Sequence, residues 1–327
     1  MAVSTLKGRS LLSLRDFSAA EITELLEHAG DLKERAARGE HPPVLAGRNI
    51  ALIFLKPSCR TRVSFVVAAT QSGAHPEVFG REDIRFGIKE SVRDIARVFG
   101  RVFDGVMFRG FEHGTVAEFA EYAGVPVWNG LCDSYHPTQV LADLLTLRES
   151  FGELAGLPVT YVGDGRNNTA TTLAIAAAKL GLDLRILAPE QLRPTPGLVA
   201  DLLAEAESDQ ARITVTSDPT AALRGSAAVY GDVWVSMGEE DRTAERIALL
   251  RDLKVTAGLM ARTGRADTVY LHCLPAFHGL DTETAIDHPD ICEVDDEVFE
   301  GPQSRVFDQS ENRMHTAKAL MQLTVAG

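Results

Sequence analysis

Short apolar segments of strand length alternate with helical segments along the chain, and this alternation limits the possible folds more than any other feature. Residues 49–55 are predicted to form a strand and a helix is predicted from Ser91, and the segments 159–162 and 169–180 repeat the pattern in the second half. Strands separated by helices pair in parallel, with helices on both faces of the sheet. The sequence therefore predicts an α/β protein with mainly parallel sheets.

The length and the interruption of this pattern indicate two domains. A chain of 327 residues is too long for one ordinary core. A long helix is predicted from His136 towards Phe151, and the strand–helix pattern starts again after Gly152. Ligands of open α/β sheets bind at the carboxyl ends of the strands. We therefore expect two domains, with an active site in the cleft between them.

Charge and cysteine usage exclude several classes of protein. The net charge of -13 argues against nucleic-acid binding and against anionic membranes. The four cysteines are few and widely spaced, so neither a disulfide framework nor a zinc site is indicated. The first residues lack a secretory apolar core, and no apolar run is long enough to span a bilayer. These features predict a soluble cytoplasmic protein.

The polar turn after the first predicted strand is the best candidate for an anion site. The first turn of a helix offers unpaired N–H groups and a positive dipole end. Ser58 and Thr61 add hydroxyl groups, and Arg60 and Arg62 add guanidinium groups that suit phosphate oxygens. Alone, this turn could be an ordinary basic surface loop. The polar residues elsewhere in the chain favour the functional interpretation.

Further polar side chains directly follow predicted strands. They are Arg109, Asn168, Asp232 and Cys273. Each has an ordinary explanation as well, since a small buried Cys is commonly structural and a lone Asp is commonly a solvated turn residue. Together they predict a ligand site at the carboxyl edges of the two sheets.

Two short motifs narrow the chemistry. Residues 163–168 fit a dinucleotide-binding turn poorly, because Asn168 stands where the third glycine would be. An Asn amide suits the carboxylate or ammonium group of an amino acid better. His136 and Gln139 lie three residues apart at a helix start, so they share a face and could polarise one carbonyl group. Alternatively, both are ordinary polar residues of a helix start.

Taken together, these segments resemble the carbamoyltransferases, and specifically the ornithine carbamoyltransferases. The matching motifs are S-x-R-T-R at 58–62, F-R-G at 108–110, H-P-T-Q at 136–139, D-G-x-N-N at 164–168, D-x-W-x-S-M-G at 232–238, H-C-L-P at 272–275 and N-R-x-H-T-x-K-A at 312–319. They occur in family order over nearly the whole chain. Aspartate carbamoyltransferases share the first motif but carry proline where Cys273 stands, so the resemblance favours ornithine as the acceptor.

The resemblance implies transfer of a carbamoyl group from carbamoyl phosphate to the δ-amine of L-ornithine, giving L-citrulline and phosphate in arginine biosynthesis, without metal or organic cofactor. The implied carbamoyl phosphate-binding residues are Ser58, Cys59, Arg60, Thr61, Arg85, Arg109, His136, Gln139, Cys273, Leu274 and Arg313. The implied ornithine-binding residues are Asn168, Asp232, Ser236 and Met237. Of these, Cys273, Arg109 and His136 are the implied catalytic residues.

The resemblance also implies an organisation and an assembly. Residues 1–150 with the C-terminal helix 305–327 would bind carbamoyl phosphate, and residues 151–304 would bind ornithine, with the loop 236–238 as a closing lid. The family is built on trimers, so we expect a homotrimer or a multiple of it, in which Arg85 reaches a neighbour's site. A sister enzyme that uses putrescine or another amine is the alternative. A regulatory binding module is disfavoured, because no catalytic position is replaced.

Three positions depart from the common family pattern. Cys59 replaces threonine, Val66 replaces glutamate, and Arg85 stands where many relatives carry glutamine. With their flanking residues, these positions resemble the phaseolotoxin-insensitive ornithine carbamoyltransferases. The sequence thus predicts tolerance of inhibitors that join both substrates in one molecule, since such a mimic loses affinity from each misplaced contact. Neutral drift at three tolerant positions is the alternative.

Overall fold

Both predicted sheets are present, and all pairings between their strands are parallel. The computed structural model describes residues 6–235 and 239–326. These residues form two units, one made of the residues up to Leu145 with those from Ser310 on, and the other of Thr146–Gln309. The prediction of a two-domain α/β protein with parallel sheets is confirmed.

The strands and helices follow one another in the order that the alternation predicts. The strands are β1 (Asn49–Phe54), β2 (His75–Gly80), β3 (Gly105–Arg109), β4 (Val127–Leu131), β5 (Pro158–Val162), β6 (Asp183–Leu187), β7 (Arg212–Thr216), β8 (Ala228–Gly231) and β9 (Val269–His272). The helices are α1 (Ala19–Ala37), α2 (Cys59–Gln71), α3 (Val92–Val102), α4 (His113–Ala123), α5 (Pro137–Phe151), α6 (Asn168–Leu180), α7 (Pro196–Ala204), α8 (Pro219–Leu223), α9 (Thr243–Leu250), α10 (Ala257–Ala261), α11 (Glu283–Asp287), α12 (Asp296–Phe299) and α13 (Val306–Met321).

The first unit contains a four-stranded sheet in the order β2-β1-β3-β4. The central strand β3 is buried along its whole length, and β1 is buried after its first residue. Such strands are apolar runs because helices cover both faces of a parallel sheet. The aromatic rings of Phe99, Phe108 and Phe119 pack beside them, with centroids 5.2 Å apart for Phe108 and Phe119. This packing fixes β3, the strand that ends at Arg109.

Local signals in the sequence set the helix starts of this unit. Ser18 accepts a hydrogen bond from the Glu21 amide, and the Glu21 carboxylate accepts one from the Ser18 amide, so the two residues form a capping box. Ser91 likewise caps α3 by accepting from the Asp94 amide. These contacts satisfy amides that have no partner inside a helix, so they fix where each helix begins.

The second unit contains a five-stranded sheet in the order β7-β6-β5-β8-β9. The strands β5, β8 and β9 lie side by side, so the residues at their carboxyl ends are neighbours. Gly231 is the last residue of β8, and a Cβ atom there would lie 2.4 Å from the Tyr270 hydroxyl of β9. Only glycine allows this close approach, which holds the ends of the two strands together.

The structure differs from the sequence-based prediction at several elements. The strand β2 was not predicted, because Pro76 and Glu77 interrupt its apolar pattern; an edge strand tolerates both. The sequence also favours a strand at 125–128, and the structure places this strand at Val127–Leu131 instead. The helical pattern of the sequence places the start of the last helix near residue 311, whereas the structure begins it at Val306, next to the 305 that the family resemblance implies. The short helices α8 to α12 also escaped prediction, since segments of four to eight residues give little periodic signal.

The structure was also searched for helices that could cross a membrane. Over residues 6–235 and 239–326, no helix is both long and apolar enough to do so.

Candidate active site

The predicted anion-binding turn is the start of α2. Ser58 is the N-cap residue, and its Oγ accepts a hydrogen bond from the Thr61 amide at 3.3 Å. The same hydroxyl donates to Thr61 Oγ1 at 3.1 Å. In α2, which the structure describes in full, the first turn carries no acidic side chain. The positive end of the helix dipole is therefore available to an anion.

The C-terminal helix α13 brings Arg313 to this turn. Its Nη2 donates to Thr61 Oγ1 at 2.7 Å, and its Nη1 donates to Gln139 Oε1 at 2.6 Å. Gln139 Nε2 in turn donates to Asp143 Oδ1 at 2.8 Å. Arg313 is 4% exposed, and Thr61 and Gln139 are buried as well. These contacts join three helices of one unit into a buried polar cluster, which we call the Arg313 cluster (Thr61, Gln139, Asp143 and Arg313).

A bulge in the sheet brings Arg109 to the same end of the unit. The register of β3 and β4 shifts so that Arg109 pairs with Leu131 and Gly130 is the extra residue. Arg109 Nη1 donates to the Gly130 carbonyl at 3.2 Å. A Cβ atom on Gly130 would lie 2.4 Å from Met107 Sδ and 3.4 Å from Thr61 Cγ2. The glycine therefore lets the bulge approach the Arg313 cluster, and its carbonyl anchors the Arg109 side chain.

His136 is buried among positive charges. It directly precedes α5 and is 5% exposed. Burial lowers the pKa of His136 well below its ordinary value, and the positive charge of Arg313 lowers it further. Arg109 and Arg60 act in the same direction. The imidazole is therefore neutral near pH 7 and can donate one hydrogen bond without adding another charge.

Three predicted residues are less enclosed. Cys59, the first residue of α2, is exposed, and Arg60 is half-buried. Arg85 is exposed and pairs with Glu82, with Nη2 and Oε2 2.7 Å apart. The structure therefore places Arg85 on the surface and does not bring it into the buried group.

In the second unit, the turn after β5 presents Asn168 at the start of α6. Asn167 is the N-cap and accepts a hydrogen bond from the Thr169 amide at 2.8 Å. Asp164 accepts from Arg246 Nη1 at 2.6 Å and from the Arg166 amide. Burial alone would raise the pKa of Asp164, but the hydrogen bonds from Arg166 and the positive charges of Arg166 and Arg246 together outweigh burial, and the net effect is a lowered pKa. The ionised Asp164 thus braces the turn that carries Asn168.

Asp232 and Cys273 meet at the carboxyl ends of β8 and β9. Cys273 Sγ donates to Asp232 Oδ1 at 3.0 Å, and the Val233 amide donates to the same oxygen at 2.8 Å. The other oxygen, Oδ2, accepts from the Tyr161 hydroxyl at 3.0 Å. Asp232 is 3% exposed, whereas Cys273 is half-buried. The two predicted residues are therefore a hydrogen-bonded pair, and the thiol of this pair is partly accessible to solvent.

Leu274 follows Cys273 in an unusual backbone conformation. Its φ is 57°, in the left-handed region, and the bond to Pro275 is cis. The Leu274 amide donates to His272 Nδ1 at 3.0 Å. His272 Nε2 faces Glu293 Oε1 at 3.2 Å, and Glu293 also accepts from the Phe277 amide. One buried carboxylate thus holds both ends of the loop that carries Cys273 and Leu274.

Two predicted site residues lie outside the part of the chain that the structure describes. Three residues that contact the site were not predicted from the sequence. Ser236 and Met237 fall between residues 235 and 239. Tyr161 was taken only as part of a strand, although its place just before the 163–168 turn was a usable signal. Asp143 gave no signal, because an acid within a helical pattern is typically solvent-exposed, and Arg246 lies in the short helix α9, which was not predicted.

The two groups have different chemistry. The first combines arginines, hydroxyls and a neutral imidazole, which suits an anion attached to a carbonyl group. The second combines a buried carboxylate, a thiol and an amide, which suits an amine and an α-amino acid group. Among the described residues, no group of three or more His, Cys, Asp or Glu side chains could hold a metal ion.

Comparisons with known proteins match both halves of the chain to one family. Residues 9–149 match the carbamoyl-P binding domain of aspartate/ornithine carbamoyltransferase, and residues 155–324 match its Asp/Orn binding domain. The chain belongs to this family. As a member, it is a carbamoyltransferase, and the family resemblance found in the motifs is confirmed.

Relatives in this carbamoyltransferase family cover nearly the whole chain. The phaseolotoxin-insensitive ornithine carbamoyltransferase 2 of Pseudomonas syringae pv. actinidiae is 51% identical over 99% of both chains. The catabolic ornithine carbamoyltransferase of Bacillus licheniformis is also 51% identical, over 98% of this chain and 97% of that protein. The solved ornithine carbamoyltransferase of Pyrococcus furiosus is 39% identical, with a TM-score of 0.91 over 100% of this chain and 99% of that one.

Proposed function

We propose that this chain is an ornithine carbamoyltransferase, which transfers the carbamoyl group of carbamoyl phosphate to the δ-amine of L-ornithine and releases L-citrulline and phosphate. One observation carries this proposal. A single chain holds the buried Arg313 cluster, which suits carbamoyl phosphate, and the Asp232–Cys273 pair, which suits an amino acid with an amine. Relatives named ornithine carbamoyltransferase at 51% identity support ornithine as the acceptor.

The first unit binds carbamoyl phosphate. The amides at the start of α2, the hydroxyls of Ser58 and Thr61, and the guanidinium of Arg109 hold the phosphate, with Cys59 and Arg60 beside them. Thr61, Arg109 and neutral His136 surround the carbonyl oxygen. This assignment corresponds to residues 1–150 with the C-terminal helix, and it agrees with the chemistry of the side chains that this unit gathers.

The carbamoyl amide needs hydrogen-bond acceptors for its two N–H groups. The Gln139 carbonyl and the backbone carbonyl of Leu274 supply them, with Cys273 beside this loop. Arg313 fixes the Gln139 amide by donating to its oxygen at 2.6 Å, while Asp143 accepts from its nitrogen. The amide of Gln139 therefore has a defined orientation before the substrate binds.

The segment 151–304, which lies within the second unit (Thr146–Gln309), binds ornithine. Asn168 and Asp232 hold the α-amino acid end. Ser236 and Met237, which the family resemblance also implies, lie outside the described part of the chain. Cys273 and Asp232 orient the δ-amine, which must be neutral to attack. The 3.0 Å contact between Cys273 Sγ and Asp232 Oδ1 supports a joint role.

The reaction proceeds by nucleophilic addition and elimination. The neutral δ-nitrogen attacks the carbamoyl carbon, a C–N bond forms, and the carbonyl oxygen gains a negative charge. Arg109 and His136 stabilise this oxyanion by hydrogen bonds in a site that excludes water. The C–O bond to phosphate then breaks, and the departing phosphate can accept the proton released by nitrogen. Much of the remaining rate enhancement comes from holding two small substrates in position.

The assembly proposal concerns Arg85. We propose a homotrimer, or a multiple of it, in which Arg85 of one copy completes the anion site of the next. The exposed position of Arg85, outside the buried group of its own chain, supports this. Sedimentation of the active enzyme tests the proposal, which predicts a trimer or larger; a fully active monomer at assay concentration would contradict it.

The biological role is also a proposal. We infer a cytoplasmic enzyme of arginine biosynthesis that tolerates phaseolotoxin-like inhibitors. The identity to the phaseolotoxin-insensitive relative supports tolerance, whereas equal identity to a catabolic relative leaves the metabolic direction to experiment. Comparing citrulline synthesis with citrulline phosphorolysis under substrate saturation would distinguish the two directions.

Citrulline formation by the purified chain is the basic test. Carbamoyl phosphate and ornithine should give citrulline at rates typical of enzymes, and Arg60→Ala should weaken carbamoyl phosphate binding and turnover together. A control, Arg48→Ala, removes an exposed arginine that pairs with Asp104 and should change neither. Absence of citrulline with the unaltered chain would reject the proposal.

A further inference from the structure

The Asp232 carboxylate uses both of its oxygens. Oδ1 accepts from Cys273 Sγ and from the Val233 amide, and Oδ2 accepts from the Tyr161 hydroxyl at 3.0 Å. Tyr161 is fully buried, and Asp232 is 3% exposed. Cys273 and Asp232 are substrate residues in the proposed function, but Tyr161 has no role in it. Its hydroxyl group therefore requires an explanation.

The Tyr161 ring is held rigidly. It is paired with Tyr230 across β5 and β8, and the two rings stack with centroids 5.9 Å apart. Gln309 Nε2 donates to the Tyr230 hydroxyl, and Gln309 Oε1 accepts from the His272 amide. The Tyr161 ring is thus connected, through Tyr230 and Gln309, to β9, the strand that leads into Cys273. A hydroxyl on such a ring has little freedom, so it sets the direction of its acceptor.

We propose that Tyr161 is a positioning residue for carbamoyl transfer, which acts by fixing the Asp232 carboxylate so that Oδ1 faces Cys273 and the amine of the acceptor. This rests on the proposed function. A carboxylate held only through Oδ1 can rotate about its Cα–Cβ and Cβ–Cγ bonds, whereas a donor on Oδ2 fixes its plane. The acceptor amine then meets an oriented charge and pays no cost for ordering it.

The electrostatics of the site agree with a permanent donor. Burial raises the pKa of Tyr161 well above its ordinary value, and the negative charge of Asp232 raises it further. The hydroxyl therefore stays protonated over the working pH range and always donates. A hydrogen bond from a buried neutral donor to an ionised acceptor is stronger than one between neutral groups.

A second tyrosine provides a matched comparison. Tyr270 is also fully buried, lies on β9, and reaches Gly231 next to Asp232. Within the described residues, its hydroxyl makes no hydrogen bond. Tyr161→Phe and Tyr270→Phe therefore remove the same atom from the same neighbourhood, but only the first removes a contact with Asp232.

The test compares these two variants in the full-length enzyme. Tyr161→Phe should lower kcat/KM for ornithine about 10- to 100-fold, the effect of one hydrogen bond to a charged group, while the KM for carbamoyl phosphate stays within about twofold. Tyr270→Phe should leave kcat/KM for ornithine and the KM for carbamoyl phosphate within about threefold of the values of the unaltered enzyme. In combination with Asp232→Asn, Tyr161→Phe should add little further loss, because both changes act through one carboxylate.

A second readout does not depend on turnover. The rate of alkylation of the half-buried Cys273 by iodoacetamide should rise several-fold in Tyr161→Phe and not in Tyr270→Phe. It is followed peptide by peptide, because the exposed Cys59 reacts as well. If the unaltered chain fails to carbamoylate ornithine, the proposed function is lost, yet this comparison still decides the link between Tyr161 and Cys273. Equal kinetics and equal alkylation in the two variants would overturn the proposal. Melting temperatures of both variants define an assay temperature at which each is folded.

Discussion

Replacement of Arg313 is the most informative perturbation of the carbamoyl phosphate site. Its two guanidinium nitrogens donate to Thr61 at 2.7 Å and to Gln139 at 2.6 Å, in a buried environment. Lysine carries its charge on a single nitrogen and lacks the planar fork that spans Thr61 and Gln139, so it cannot reproduce both contacts with the same geometry. Loss of one hydrogen bond to a charged group costs about 1.5–3 kcal/mol, so Arg313→Lys should lower kcat/KM for carbamoyl phosphate roughly 10- to 150-fold. Arg313→Ala loses both hydrogen bonds, so it should lower kcat/KM for carbamoyl phosphate by about the square of the factor expected for Arg313→Lys.

The same variant should change the pH dependence. Arg313 is one of the charges that lower the pKa of His136, so its removal should move that pKa upwards. A larger fraction of His136 is then protonated at a given acidic pH, and turnover by Arg313→Ala should begin to fall at a higher pH than in the unaltered enzyme. Steady-state citrulline formation across pH measures both effects.

A surface arginine supplies the control for this experiment. Arg35 pairs with Asp31 on an exposed helix face, and such pairs contribute little. Arg35→Lys should therefore leave kcat/KM and the pH profile unchanged. If Arg313→Lys behaves like Arg35→Lys, Arg313 does not act on carbamoyl phosphate, and the reasoning about the Arg313 cluster is refuted.

Three further predictions concern catalysis, stability and inhibition. Cys273→Ala should raise the KM for ornithine and lower turnover; unchanged ornithine kinetics would mean that the cysteine is structural. The free energy of unfolding should decrease as pH falls through about 6.5, because unfolding lets the buried, neutral His136 take up a proton, and a denaturant titration at several pH values measures this. A phosphosulfamyl-ornithine inhibitor should bind the unaltered chain more weakly than a revertant, and equal potency would end the resistance hypothesis. That revertant carries Cys59→Thr, Val66→Glu and Arg85→Gln.

Much of the fold and part of the site follow from local sequence signals. The Ser58 cap was predictable because a serine precedes a polar turn and a helical segment, and the same holds for the start of α3 at Ser91. The contact between Arg313 and Thr61 could not be read from spacing, because it joins residues 252 positions apart. Only the family resemblance placed Arg313 in the site.

Other features depend on packing alone. The β-bulge at Gly130 arises from the register between β3 and β4, and it places the Gly130 carbonyl next to Arg109. A run of apolar residues does not specify this register. The hydroxyl of Tyr161 gains its partner only when β5 and β8 lie side by side. Sequence patterns predict which residues are buried, whereas the pairing of strands decides which buried polar groups meet.

A competition assay between acceptors most directly tests the proposed activity, which has one preferred acceptor. The purified chain is incubated with carbamoyl phosphate and equal concentrations of L-ornithine, putrescine and L-aspartate, and the three carbamoylated products are quantified by mass spectrometry. Citrulline should dominate, since the carboxylate–thiol pair of Asp232 and Cys273 suits an amine and Asn168 suits an α-amino acid. A mixture dominated by carbamoyl-putrescine or carbamoyl-aspartate, or no product at all, would contradict the account.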